Sequence, residues 1–220
     1  RLGGTCVNRG CVPKKLMVSA ADFKHQQRAA TAYGWVNPAG SFDWEMLKAA
    51  IAQHLVSLRQ SQEETLQNTG IKLIREAAQF VDPHTVALGD RQVSAEYIVL
   101  AVGSTPTVLD IPGANLSLTS KDIFNLDQIP NRLAVIGGGY IGIEFSHVLA
   151  ELGTEITLID TDSLVLSGFD QDLRESAQKG LDHIGVKFIA ETTCTAIEKS
   201  DKGLKVRLSG GSEQTLIVDE

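Results

Sequence analysis

The order of apolar runs and glycines in this 220-residue chain predicts an α/β fold. Three observations carry that expectation. A strand-length apolar run at 133–136 passes through a glycine-rich turn into a helix-length run at 140–152, which stops at Gly153 before a second strand run at 155–159. Helical periodicity marks 41–69 through Phe42, Met46, Leu47, Ala50, Ile51, Leu55, Leu58 and Leu66. Short β-rich runs separated by turn residues fill the interval between these two helices.

The first element is the glycine-broken, amphipathic stretch Gly3, Gly4, Thr5, Cys6, Val7, Asn8, Arg9, Gly10, Cys11, Val12, Pro13, Lys14, Lys15. Residues five apart on a regular helix have Cα atoms roughly 8.7 Å from each other, beyond the roughly 7 Å reach of a disulfide. A Cys6–Cys11 bond therefore needs a distorted first turn, which the three glycines permit. A helix is expected to run on through Leu16 to Phe23. Both sulfurs would then lie near its positive end with Lys14 and Lys15 nearby, conditions that favour thiolate. Inert packing and metal ligation are the other readings of the pair. A zinc site would show closer ligand pairs and two further ligands, whereas Cys194 and five scattered histidines are all that remain, so no metal is expected.

The helix at 41–69 takes Ser41 as its cap and Gly70 after its end. Strands are expected at 71–74, 78–81, 85–88 and 98–102, with turns at Asp82-Pro83 and Gly89-Asp90. Pro106, the Ile111-Pro112-Gly113 turn and Ile129-Pro130 mark a linker. Beyond the second strand of the glycine unit come a helix at about 170–184, a strand at 186–189, and a hairpin pairing 196–198 with 204–208. Cys194 sits in an alternating run and reads as an inert strand residue.

The segment 132–160 has the parts of a dinucleotide fingerprint. Gly137, Gly139 and Gly142 fill GxGxxG between strand and helix, and Asp160 ends the second strand. Gly137 allows the tight turn, Gly139 lets backbone approach a pyrophosphate, and Gly142 lets helix and strand pack closely, with the helix N-terminus facing the anion. A carboxylate at Asp160 would accept hydrogen bonds from the adenosine ribose of NAD and repel a 2′-phosphate. The following residues, Thr161 to Ser167, contain no Arg or Lys, which favours NADH; the plainer alternative is an aspartate that merely ends a strand.

A formal net charge of −7 and a pI near 5.3, with no basic stripe, argue against nucleic-acid binding. No apolar run approaches the length of a membrane-spanning helix. Three cysteines with one close pair fit a reducing compartment, the cytoplasm, or a plastid if the source is a plant or alga.

In this order the two motifs resemble the flavin-dependent pyridine nucleotide-disulfide oxidoreductases along essentially the whole chain. The run 6–15 is most similar to the glutathione reductase branch, particularly its cyanobacterial and plant forms, and Gly168-Phe169-Asp170 is similar to that branch too. Residues 95–106 resemble the strand and turn that close the family's FAD domain, with Val102 and Ser104 departing from the usual pattern.

The resemblance implies two Rossmann-like nucleotide-binding domains: an FAD domain at 1–103 without its N-terminal part, and an NAD(P) domain at 104–220 without its C-terminal part. It implies Cys6 as the interchange thiol, Cys11 as the thiol facing the flavin, and Lys14 beside the flavin and paired with Glu144. Gly4, Thr5, Cys6 and Gly103 would lie along FAD. Tyr140 would cover the nicotinamide pocket, with Gly137, Gly139, Ile141, Gly142, Asp160, Thr161 and Ser167 along the nucleotide. Electrons would pass from NAD(P)H through FAD to the dithiol and on to a small disulfide, glutathione disulfide first among them. The branch usually has arginines at the positions of Thr161 and Ser167, and often alanine at Gly142. These departures lean toward NADH and keep an NAD-linked dihydrolipoyl dehydrogenase as an alternative beside a non-enzymatic redox-sensing module. The full-length protein would be a homodimer. None of His25, His54, His84, His147 or His183 matches the family's acid–base motif, so the chain alone is expected to be inactive.

Overall fold

A computed structural model describes residues 1–36, 40–210 and 214–220. The chain opens with two helices, α1 (Gly4–Arg9) and α2 (Cys11–Ala30), and α2 runs beyond the expected end at Phe23. The long helix α3 (Trp44–Asn68) starts later than expected. Its cap is Asp43 rather than Ser41: the Asp43 carboxylate accepts the Met46 N–H at 2.9 Å, and a carboxylate there also complements the helix dipole.

Strands β1 (Ala78–Asp82), β2 (Thr85–Leu88) and β3 (Arg91–Ser94) form an antiparallel meander. The first two stand where the alternating pattern put them, and the short, polar β3 had no signal beyond its turn. The strands expected at 71–74 and 98–102 are absent. Apolar, β-branched residues there have no strand paired with them among the described residues, and Val99 is 88% exposed. A strand exists only as one side of a ladder, so propensity alone does not make strands of these segments.

After the short helix α4 (Ser120–Ile123), the second half is built from β4 (Arg132–Ile136), α5 (Tyr140–Glu151), β5 (Glu155–Ile159), α6 (Gln171–His183) and β6 (Lys187–Ile189). The strands pair in parallel in the order β4-β5-β6, with Arg132 opposite Glu155 and Thr157 opposite Lys187. This is a Rossmann-type unit with helical crossovers, as the run of periods predicted. The expected hairpin grows into a three-stranded antiparallel sheet: β7 (Thr192–Ser200), β8 (Gly203–Gly210) and β9 (Gln214–Val218). Cys194 is buried on β7, and burial pushes its thiol pKa up, which keeps it neutral.

The main core fuses the two halves. Met17 of α2, fully buried, shares a cluster with Ile51 and Leu55 of α3, Phe145, Val148 and Leu149 of α5, and Leu133, Ile156 and Leu158 of the parallel sheet. Phe124 meets the Phe145 ring edge-on at 5.5 Å. No helix among the described residues is long and apolar enough to cross a membrane.

Candidate active site

Gly10, at φ −148° and ψ −118°, leaves helical space and divides the cysteine run, so the expected distorted turn is a complete break between two helices. Cys6 lies within α1, Cys11 is the first residue of α2, and both thiols are exposed. They hydrogen-bond each other, and that contact is the main reason the Cys6 pKa lies above the ordinary thiol value. The thiolate bias expected at Cys6 is therefore not present. One of the two lysines expected to supply it is engaged elsewhere: Lys14 Nζ sits 2.5 Å from Glu144 Oε1 on α5. This half-exposed pair joins the dithiol helix to the helix that leaves the glycine turn.

Two polar residues without a sequence signal hold α1. Its N-cap, Gly3, offers no side chain, and Asn8 ties the start of the helix from its other end by donating through Nδ2 to the carbonyls of Leu2 and Gly4, each at 2.8 Å. Asn8 Oδ1 accepts from Arg59 of α3 at 3.1 Å. Carbonyls only accept and guanidinium only donates, so the amide has a single orientation that satisfies all three bonds. Helical periodicity could not reveal a partner 51 positions away.

Beside α1 lies a cavity of about 850 Å³. Gly4, Thr5 and Gly103, separated widely in sequence, meet on its wall, together with the basic side chains of Arg1, Arg9, Lys48 and Arg59. Its positive lining and the bare glycine backbone suit a large anionic ligand with a flat ring system, which is what FAD presents. Lys48 and Trp44 shape its floor by both donating to the Leu126 carbonyl at 2.8 Å.

The glycine turn is built for close approach. A Cβ on Gly142 would stand 2.0 Å from the Gly137 carbonyl oxygen, so α5 packs this closely on the turn after β4 because glycine stands there. Around Gly139 the space is open, and among the described residues no side chain caps the α5 N-terminus, leaving its first N–H groups toward that space. Tyr140, 63% exposed, and Ile141 stand at the mouth of this turn. The Asp160 carboxylate accepts the Gly138 N–H, and its other oxygen accepts the Asp162 N–H at 2.8 Å. A carboxylate offers about four acceptor positions, so capacity remains for two ribose hydroxyls. Thr161 and Ser167 are exposed on the loop after β5.

Against known proteins, the family model described as pyridine nucleotide-disulphide oxidoreductase matches residues 1–220. The glutathione reductase of Nostoc sp. is 39% identical over 99% of this chain and 48% of its own length. The chloroplastic/mitochondrial glutathione reductase of Pisum sativum is 35% identical over 97% of this chain and 39% of its own. The mitochondrial thioredoxin reductase 2 of Drosophila melanogaster is 36% identical over 92% and 41%. Among solved structures, the HOCl-induced flavoprotein disulfide reductase RclA from Escherichia coli superposes with a TM-score of 0.81 at 26% identity, over 99% of this chain and 46% of that one. The chain thus spans about half the length of the relatives it matches. With a family match along its whole extent and curated relatives well above 30% identity, the chain belongs to the pyridine nucleotide-disulphide oxidoreductases.

Proposed function

We propose that the protein is a flavin-dependent disulfide reductase of glutathione reductase type, passing electrons from a nicotinamide nucleotide through the Cys6–Cys11 pair to glutathione disulfide. The observation that carries this reading is the Lys14–Glu144 contact, which ties a two-thiol segment directly to the helix of a dinucleotide turn. FAD would supply the two-electron link between nicotinamide and dithiol. Gly4, Thr5, Lys14 and Gly103 would hold it, and the domains would divide at 103/104.

In the reduced pair, the Cys6 sulfur, once deprotonated, attacks one sulfur of the substrate disulfide. The S–S bond breaks, one substrate thiolate leaves and takes up a proton, and a mixed disulfide forms. Cys11 then attacks Cys6, loses its proton, and releases the second substrate thiol as the Cys6–Cys11 disulfide closes. Two electrons have moved from the cysteine pair to the substrate. Because Cys11 holds the Cys6 pKa up, the first step needs a base for the Cys6 proton.

At the other end, Asp160 and the absence of arginine at Thr161 and Ser167 support NADH over NADPH. Likeness to a thioredoxin reductase supports a second reading for the substrate, a disulfide borne on a small protein. A homodimer in the cytoplasm, or in a plastid for a plant or algal source, completes the proposal.

The test is anaerobic titration of the full-length polypeptide with NADH and with NADPH, followed by flavin absorbance and the long-wavelength thiolate–flavin band. Bleaching of flavin and growth of the band at low NADH is the expected result. A band with NADPH alone would keep the reductase and reverse the nucleotide preference, whereas absence of flavin would end the proposal. Turnover with glutathione disulfide, dihydrolipoamide and thioredoxin then ranks the substrates.

A further inference from the structure

The residues that would choose between NADH and NADPH lie on the connection from β5 to α6, a loop with almost no regular structure of its own. Its first residues are tied by backbone bonds. The Asp160 N–H donates to the Ile189 carbonyl at 3.1 Å, the Thr192 N–H donates to the Asp160 carbonyl at 2.9 Å, and the Glu191 N–H donates to the Asp162 carbonyl at 3.2 Å. Farther along, the Leu166 N–H donates to the Gly138 carbonyl at 2.8 Å, bringing the loop onto the glycine turn. Leu166 itself has φ +56°, a left-handed conformation that a leucine adopts only where its surroundings impose it, and it is 9% exposed.

What imposes it is a side chain from α6. Arg174 Nε donates to the Val165 carbonyl at 2.9 Å, and a terminal nitrogen of the same guanidinium donates to the Leu164 carbonyl at 2.8 Å. A planar fork with fixed donor directions holds two successive carbonyls at once, which a lysine's single ammonium cannot match. The peptide planes before Leu166 are fixed by Arg174, and the N–H of Leu166 by Gly138, so the left-handed residue is determined from both sides. Val165 is fully buried between these ties. Asp170, the N-cap of α6, accepts the Leu173 N–H at 3.0 Å and so fixes the helical turn on which Arg174 stands.

We propose that Arg174 is the positioning residue of the nucleotide-selecting loop: it sets where the 164–167 stretch, with Ser167, stands and does not itself bind a 2′-phosphate. The inference rests on the reading of 132–160 as a nicotinamide nucleotide site. It follows from where the donors of Arg174 point. The side edge of the guanidinium, Nε with one terminal nitrogen, is turned onto backbone carbonyls, so that fork is committed to shaping the loop. The two roles have opposite signatures. A phosphate ligand matters for the phosphorylated nucleotide alone, whereas a loop clamp matters for both nucleotides alike.

The experiment uses the full-length protein with Arg174→Gln and Arg174→Lys. Calorimetry gives the affinities for NAD⁺ and NADP⁺, steady-state rates with NADH and NADPH separate KM from kcat, and hydrogen exchange reports the Leu166 amide. Arg174→Gln is expected to weaken both oxidised nucleotides by about tenfold, the scale of one or two net hydrogen bonds. KM should rise for both reduced forms with a much smaller change in kcat, and the Leu166 amide should exchange faster. Arg174→Lys should fall between wild type and Arg174→Gln, and it carries the comparison if the glutamine variant does not fold. Loss confined to NADP⁺ would make Arg174 a phosphate ligand and overturn the proposal, as would unchanged affinities with unchanged Leu166 exchange. If the wild type binds neither nucleotide, the site reading fails on its own, and Leu166 exchange still decides whether Arg174 clamps the loop.

Discussion

At Cys6 two influences compete, and the nearer one prevails. A helix end and two lysines in the sequence suggest an acidic thiol, but Lys14 turns to Glu144 and the adjacent Cys11 raises the Cys6 pKa. The sign follows directly. A raised pKa keeps Cys6 protonated at neutral pH, and each unit of pH below that pKa costs about tenfold in thiolate. Alkylation of Cys6 by iodoacetamide in the chain 1–220, with Cys11 and Cys194 distinguished by peptide mapping, should therefore climb steadily from pH 7 to beyond 9. A plateau below pH 8 would show that the lysines, not Cys11, control the sulfur. The chemistry-bearing residues themselves were legible in the sequence: Cys6, Cys11, the three turn glycines and Asp160 all belong to short local patterns. Asn8, Arg59 and Arg174 were not, because each acts through partners that local spacing does not identify.

At the scale of elements, α2 and α5 are joined twice. Lys14 meets Glu144 near the start of both helices, and Arg28 meets Glu151 toward their ends at 3.1 Å. The second contact is the more demanding, since the Glu151 side chain is 1% exposed and Arg28 is its ion-pair partner. Arg28→Ala should destabilise the chain by about 2 kcal/mol in urea unfolding, because it strips a charge-assisted hydrogen bond from a buried carboxylate. Adding Glu151→Leu should recover most of that loss by removing the stranded charge. A single variant as stable as wild type would show that the carboxylate is already satisfied without Arg28. Periodicity located α5 and α6 to within a few residues, stopped short of the end of α2, expected at Phe23 and found at Ala30, and erred at the start of α3, where Ser41 and Asp43 are both competent caps and only Asp43 makes the bond. The strand expectations at 71–74 and 98–102 failed for a different reason. A β-rich run states what one strand could be and says nothing of whether a neighbour lies alongside it.

For the whole molecule, the α/β class followed from the strand–turn–helix–strand order of 132–160, whereas the common core could not be read from the chain. Met17, in a helix near one end of the sequence, is fully buried against a cluster centred on α5. No local pattern announces that a residue of the dithiol helix completes the core beneath the nucleotide turn. The fusion of the two halves through Met17, Phe145 and the paired helices has a consequence for timing. A carrier that must swing between donor and acceptor is slowed by friction with the solvent, and its turnover falls as the medium thickens. On the proposed function, donor turn and acceptor thiols ride on helices packed into one core, so the gap between them would be set by side-chain volume and would not open and close in each cycle. Stopped-flow transfer from NADH to the dithiol in the full-length protein should hence be insensitive to sucrose at concentrations that halve the diffusion of free substrate. A rate falling in inverse proportion to viscosity would reveal a swing that the packing of α2 on α5 gives no room for.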